Sequence, residues 1–450
     1  MRIWRRLYAG AQKSSLGCRD QKVEKFVNLC NNHKLIYQHR SSKELLRWYF
    51  LLWICGQKLF AKNAFQIFEA ARQILGPSFF SIVFKPFVYN LFIAGNDRKS
   101  ILKSMRKMHD LGLIPFLSPM LEDSPDSLEE DHVKQAQNVT TIMDCISMCS
   151  ELSSQTSLPI NPLAIKLTAF IGTPILEELA KRCDQPFDSL LVEKLRTLNL
   201  GNENSLGLDL VHCEQYLKGI SILEDICTSA RENDVVLFID AEYSHLQPAV
   251  RLITLTLMME FNRGNKICIA NTYQCYLKAG LAHLEEDLRI SCNMSFPLGI
   301  KLVRGAYMEV ERRQSFNKGL PDPICTNYAL TNEAYDKAVQ RLLYLAGDLS
   351  HLVVFATHNF DSVKKIAVHS NLPKSVYFAQ INGMADPISF GLIHSGHQSL
   401  KLIPCGSVAD VVPWLARRVQ ENSVALERVS WDKLLIRKEL YRRFRNVVRK

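Results

Sequence analysis

Eight short runs rich in Ile, Val, Leu and Phe recur along this chain, each followed by a longer stretch with helical periodicity. They are Ile114–Met120, Pro162–Ala169, Val235–Glu242, Lys266–Tyr273, Leu298–Tyr307, Leu352–Asn359, Val376–Met384 and Leu400–Gly406. A strand that is apolar on both faces must be covered on both, and strands alternating with helices pair in parallel. Eight such units predict an α/β fold, a parallel (βα)8 TIM barrel. A doubly wound open sheet is the competing arrangement. No GxGxxG or GxxxxGK[ST] follows any of the runs, so neither familiar phosphate grip is present.

Polar residues gather at the C-terminal ends of the runs. Lys166 and Thr168 end the second, Asp240 and Glu242 the third, and Asn271 and Tyr273 the fourth. Arg304 and Tyr307 end the fifth, Thr357, His358 and Asn359 the sixth, and Gln380 and Asn382 the seventh. In a barrel these ends converge on one face, where barrel enzymes hold their active sites. Each residue also has a structural reading. Lys166 could snorkel to water at the mouth, and His358 could be a satisfied core histidine. Asp240 and Glu242 flank Ala241 on one strand face, as an acid pair or as salt-bridge partners for a nearby cation. Acids and histidines do not gather at metal-ligand spacing, so no metal is expected. There is no serine or cysteine in a nucleophile elbow. A mouth of cations, amides and aromatics suits an anionic substrate lying against a planar, phosphate-bearing cofactor.

Beyond the eighth run, VVPWLARRVQENS (411–423) reads as a helix with Trp414, Arg417, Arg418 and Glu421 at i, i+3, i+4 and i+7, all on one face. A guanidinium pair beside an aromatic and a carboxylate is costly to desolvate without an anionic partner. A clamp for a small carboxylate or phosphate and a solvated basic patch are both open on this segment alone.

The formal charge of +10 sits at the ends: residues 1–20 carry +4 and residues 431–450 carry +6, leaving the body neutral. That argues against a nucleic-acid-binding core. The first twenty residues are Arg-rich and nearly free of acid, the pattern of a mitochondrial transit segment or of a short basic arm. LLIRKELYRRFRNVVRK at the C-terminus reads as a basic amphipathic helix, either solvated or drawn to an anionic membrane surface. Residues 21–107 read as helical, with an acidic turn-rich connection at 123–134. The most apolar run of that region, Trp48–Cys55, is too short to span a bilayer and is expected as a buried helix. Thirteen cysteines without a CxxC fit a reduced compartment better than a disulfide framework. The chain thus divides into a candidate transit segment (1–20), a helical region (21–107), a barrel (108–430) and a basic C-terminal helix (431–450).

The segments KLVRGAYMEVER (301–312), IDAEYSHLQP (239–248), ANTYQCYLK (270–278), FATHN (355–359), AQINGM (379–384) and ARRVQEN (416–422) resemble the proline dehydrogenase family, in order and at suitable spacing. AIKLTA (164–169) and PDPICTNY (321–328) match as well, and the resemblance runs from about residue 80 to 445. The eukaryotic mitochondrial form, which includes hydroxyproline dehydrogenase, is the nearest. The resemblance implies a distorted barrel, N-terminally extended by helices, that binds FAD non-covalently. It implies oxidation of L-proline to 1-pyrroline-5-carboxylate, with electrons passed to ubiquinone at the matrix side of the mitochondrial inner membrane. Hydroxyproline dehydrogenase acting on trans-4-hydroxy-L-proline is the alternative, and an inactive barrel acting as a membrane-associated binding protein a remote one.

By the same resemblance, Arg417 and Arg418 would hold the substrate carboxylate with Lys166 closing the clamp. Asp240 would orient the cations, Tyr307 and Trp414 would wall the ring, and Ile381 would touch it. Asn271, Lys301, Val303, Gly305, Ala306, Thr357, His358 and Asn359 match positions that contact the flavin. Lys301 or Arg304 would stabilise negative charge on the cofactor, Gln380 would join its contacts, and Glu421 would tie the arginine helix to its side. One departure bears on the substrate. Leu402 stands where relatives acting on proline usually carry tyrosine and hydroxyproline-specific ones a small serine.

Overall fold

The eight runs become eight parallel strands closed into one barrel in chain order. The computed structural model describes residues 20–57, 60, 63–84, 89–121, 128–183, 208–264, 266–345, 351–369, 372–423 and 426–448. The strands are β1 (Ile114–Pro119), β2 (Asn161–Ile165), β3 (Val235–Ile239), β4 (Ile269–Gln274), β5 (Gly299–Val303), β6 (Leu352–Ala356), β7 (Val376–Ile381) and β8 (Ser399–Cys405). β8 closes on β1 over six residue pairs, among them Phe116 opposite Leu402. β7 meets β8 with Ile381 opposite Leu402.

Alternation along each strand sorts the side chains into two apolar clusters. Leu163, Ile165, Leu237, Ile239, Ile269, Ile300, Leu302, Phe355 and Phe378 face outward into the helix layer. Phe116, Ala164, Phe238, Ala270, Val354, Ala379 and Leu400 fill the lumen, with Leu402 packed against them. The rings of Phe116 and Phe238 lie 4.8 Å apart and plug the barrel. The lumen is therefore a packed core below and a polar mouth above.

The N-terminal region is helical as expected, with differences in detail. A capping box of Ser41 and Glu44 opens the helix Ser42–Cys55. That helix is not buried all round: Leu45 and Trp48 are covered, while Leu46, Phe50 and Trp53 are exposed. Leu45 and Trp48 pack on Leu435 and Ile436 of the terminal helix Leu426–Val448 and on Ile36, Tyr37 and Phe390, while Leu51 reaches the Phe80–Val411 cluster. Burying each such side chain is worth about 1.5–3 kcal/mol. The break expected at Gly76 appears as a non-helical residue at φ 72° inside Ala64–Phe84. The acidic connection is shorter than expected, because a helix begins at Leu128 and runs to Gln155.

The terminal helix is more than a solvated basic end. Glu439, fully buried, accepts from His33 Nδ1 at 3.0 Å and from both Arg442 and Arg443 at 2.7 Å. Arg443 also donates to the carbonyls of Tyr37 and Arg40 at 2.7 Å each, tying the two ends of the described chain together. No helix among the described residues is long and apolar enough to cross a membrane. The cysteines among the described residues are free thiols.

Candidate active site

The lumen-facing positions at the strand ends carry the chemistry. Counting alternate residues from Ala164, Phe238, Val354 and Ala379 brings Lys166, Asp240, His358 and Ile381 into the mouth. Lys166 continues the extended backbone of β2 (φ −115°, ψ 141°), so the alternation holds one residue past the strand. Lys301 of β5 lies under the mouth, its side chain 8% exposed, and its Nζ pairs with Asp240 Oδ1. The same ammonium lies 5.5 Å from the centre of the Phe116 ring. This is a half-desolvated ion pair, in which loss of either partner strands the other.

Around this pair the mouth has an apolar and an aromatic side. Ile381 and Leu402, opposite each other in register, are both partly exposed into the lumen. Tyr307, at the start of the helix Met308–Asn317, packs its ring 4.8 Å from that of Tyr243. His358 Nε2 accepts a 3.0 Å hydrogen bond from the Ile381 backbone N–H, which makes the other ring nitrogen the proton carrier of the neutral imidazole. Gln274 closes β4 on the lumen side and donates to the Glu242 carbonyl at 3.0 Å. Glu242 itself is buried and accepts from the Thr168 N–H at 3.1 Å. It braces the β2 and β3 ends, so it is no free partner for Asp240 in an acid pair.

The strand after β5 turns away sharply at Gly305 (φ +132°), where an added Cβ would come within 2.2 Å of the Tyr276 ring. Only glycine fits there, and Val303 and Ala306 flank it, half-buried.

Three expected cofactor contacts lie elsewhere. Asn271 shares a strand face with Ile269 and Tyr273, whose hydroxyl donates to Asp287 at 2.7 Å in the helix layer. The period of two therefore turns Asn271 outward, and its lumen counterpart is Gln274. Gln380, between Ala379 and Ile381, is outward as well: its Oε1 accepts from Ser389 at 2.8 Å and its Nε2 donates to the Thr357 carbonyl at 3.4 Å. Arg304 faces the helix Tyr328–Leu345, where its guanidinium bonds Asn332, Thr357 Oγ1 (2.6 Å) and Ser362 (2.9 Å) and lies over the Tyr335 ring. It braces the end of β6, so that of Lys301 and Arg304 it is Lys301 that turns into the mouth. Thr357 is bound up in the same brace. Asn359 caps the helix Phe360–Ala367 by accepting from Ser362 N–H at 3.0 Å.

The helix Val408–Ser423 starts directly past β8. Its apolar face, Val408, Val411, Val412 and Leu415, packs on Phe80, Phe84, Tyr89, Leu91, Phe92 and Ile93, with Trp414 against the same cluster. The side chains of Arg417, Arg418 and Glu421 lie outside the described residues.

An ammonium–carboxylate pair, a second lysine, a neutral imidazole and an amide around an apolar wall form a donor set suited to a planar anionic cofactor with a small zwitterion beside it. The site thus fits a flavin in the chemistry of its donors.

Comparison with known proteins gives the same direction. A family model described as "Proline dehydrogenase" matches residues 102–430. The hydroxyproline dehydrogenase of Xenopus laevis is 29% identical over 422 residues, 91% of this chain and 89% of its own. The mitochondrial proline dehydrogenase 1 of Homo sapiens is 35% identical over 242 residues, 51% of this chain and 40% of its own. Among solved structures, proline utilization A (PutA) from Bdellovibrio bacteriovorus superposes with a TM-score of 0.70 at 18% identity. That match covers 90% of this chain and 41% of the PutA chain, and it speaks for the fold.

Proposed function

This chain belongs to the proline dehydrogenase family, and from that premise we propose that it is an FAD-dependent enzyme that oxidises L-proline to 1-pyrroline-5-carboxylate. The observation that carries the reading is the Lys301–Asp240 pair, set in a barrel mouth whose other wall is the apolar Ile381–Leu402 pair. FAD, when bound, accepts the hydride leaving the ring carbon next to the amine. Lys301, Gln274, Val303, Ala306 and His358 would hold it, with Gly305 allowing the backbone to pass close.

The residues of the chain then do three things. Lys166, with Arg417 and Arg418 of the following helix, binds the substrate carboxylate, a task for which guanidinium is suited by its paired donors. Asp240 holds Lys301 in place and keeps that cation from being an unpaired charge in the mouth. Ile381, Leu402, Tyr307 and Trp414 exclude water from the pyrrolidine ring and fix its orientation, which is where most of the rate enhancement of such a reaction comes from.

Leu402 favours proline over its 4-hydroxy derivative. A hydroxyl set against Leu402 and Ile381 loses its hydrogen bonds to water, but an apolar pocket rejects an added hydroxyl by only about 10²-fold at most. A second reading, trans-4-hydroxy-L-proline as the main substrate, is favoured by the near-full-length similarity to hydroxyproline dehydrogenases. Ubiquinone is the proposed electron acceptor, and the mitochondrion, on the matrix side of the inner membrane, the proposed location. The basic ends and the exposed apolar face of Ser42–Cys55 are the groups suited to a membrane surface. Purified protein reconstituted with FAD tests the reading. Dye reduction dependent on either imino acid supports it, and kcat/KM for the two ranks the substrates.

A further inference from the structure

The turn after β7 is strained and held from two sides. Gly383 sits at φ 75° and Ala385 at φ 53°, so two of three consecutive residues occupy or border the left-handed region, one of them bearing a Cβ. That region is open to glycine but strained for alanine, and such strain persists only where surroundings over-determine it. Here the N-terminal segment covers one side. Asn382 Nδ2 donates to the carbonyls of Leu91 (3.2 Å) and Phe92 (3.1 Å), and a Cβ on Gly383 would meet the Phe92 ring at 2.5 Å.

The other side is a buried charge cluster. Lys401 of β8, 1% exposed, points its ammonium away from the lumen into this turn. Its three donors have three acceptors: the Met384 carbonyl at 2.6 Å, the Ile381 carbonyl at 3.4 Å and Asp386 Oδ1 at 3.0 Å. Asp386, 2% exposed, gives its second oxygen to Arg40 Nη2 at 3.0 Å. Arg40 belongs to the N-terminal extension, lies 4.0 Å over the Trp48 ring, and has its own carbonyl held by Arg443 of the terminal helix. Asp432 of that helix and His39 face the same cluster.

The arrangement goes beyond anchoring two terminal segments. Lys401 and Asp386 bracket the turn that begins at Ile381, and Ile381 is the pocket wall opposite Leu402. We propose that the N-terminal helical extension is a working part of the substrate pocket: Arg40, acting through Asp386 and Lys401, is a positioning residue that fixes the β7 turn and with it Ile381. This rests on the imino-acid reading of the mouth. Removing Arg40 leaves Asp386 with one cation and frees a strained turn to relax, moving the wall while the Lys301–Asp240 pair on the far strands keeps its place.

Arg40→Met and Arg40→Gln test this in the full-length, FAD-loaded enzyme. Wild-type turnover of proline and trans-4-hydroxy-L-proline tests the imino-acid reading itself, independently of the variants. For the variants, KM for the preferred imino acid should rise about tenfold while kcat and flavin content stay within about threefold, the signature of lost substrate positioning. Arg40→Lys should restore most of the KM. In the double variant with Ile381→Val, the two effects on KM should fall short of multiplying by at least about threefold, because both act on one wall. A flavin-loaded Arg40 variant with unchanged KM overturns the proposal. So does full multiplicativity with Ile381→Val, which would mean that Arg40 only stabilises the fold.

Discussion

Lys301 and Asp240 pair across the mouth of the barrel from β5 and β3, bridging over the end of β4. Neither strand neighbours the other, so the pair fixes the relative height of two strand ends that carry the site. The lysine is nearly buried and the aspartate is about one-third exposed. The desolvation cost thus falls mainly on the cation.

Replacing Asp240 should therefore be more damaging than its exposure suggests. Asp240→Ala leaves the Lys301 ammonium without its partner and free to swing, and removal of one member of a desolvated pair costs about 3–5 kcal/mol. The expected outcome is a fall in kcat/KM of about 10²-fold or more, read by steady-state dye reduction. Asp240→Glu should recover part of it. Equal activity in Asp240→Ala would remove the pair from the site.

Leu402 should control the choice between imino acids. Leu402→Ser opens space and supplies a hydroxyl where the ring's fourth carbon would lie. The ratio of kcat/KM for trans-4-hydroxy-L-proline to that for L-proline should rise about tenfold, within the range a single hydrogen bond supplies. An unchanged ratio would place Leu402 away from the ring.

Gly305→Ala should disrupt the β5 exit. Its φ of +132° is foreign to alanine, and the new Cβ would overlap the Tyr276 ring. Destabilisation of about 2–4 kcal/mol is expected from strain and overpacking together. Thermal unfolding measures it, and loss of flavin from the surviving folded fraction should accompany it.

His351 gives a stability signal with pH. It is 3% exposed, and its Nδ1 accepts the Leu298 N–H at 2.9 Å, so the folded protein needs the neutral ring. Burial pushes its pKa down to about 4. Because the unfolded chain takes up this proton near pH 6.5 and the folded protein does not, stability should fall as pH drops from about 6.5 to about 4, by ~1.4 kcal/mol per unit within that window. His351→Asn keeps an acceptor near Nδ1 and should flatten that part of the urea-unfolding profile. An unaltered slope would assign the acid sensitivity to other groups.

Much of the barrel was legible in the sequence because parallel strands covered on both faces read as unbroken apolar runs, and all eight were strands. The polar residues ending those runs were a sound guide to the mouth, yet less so to individual contacts. Asn271, Gln380 and Arg304 stand one residue out of phase with the lumen, and a run that is apolar on both sides offers little alternation from which to read that phase. Counting forward by twos from Ala270 as a small lumen residue would have selected Gln274. Lys401 and Asp386 look in the sequence like an ordinary strand lysine and a helix-start acid. Their roles depend on Arg40, which is more than three hundred residues away along the chain. The half-exposed helix Ser42–Cys55 reads as buried because its apolar residues outnumber the positions that its neighbours cover.

The most direct test of the central claim is an anaerobic titration of the FAD-loaded protein with L-proline and then with trans-4-hydroxy-L-proline, following flavin absorbance. The expected result is bleaching of the oxidised flavin by at least one imino acid, with Arg417→Met binding FAD yet resisting reduction at the same concentrations. A flavin that binds and stays oxidised with both would contradict the assignment of this barrel mouth to imino-acid oxidation.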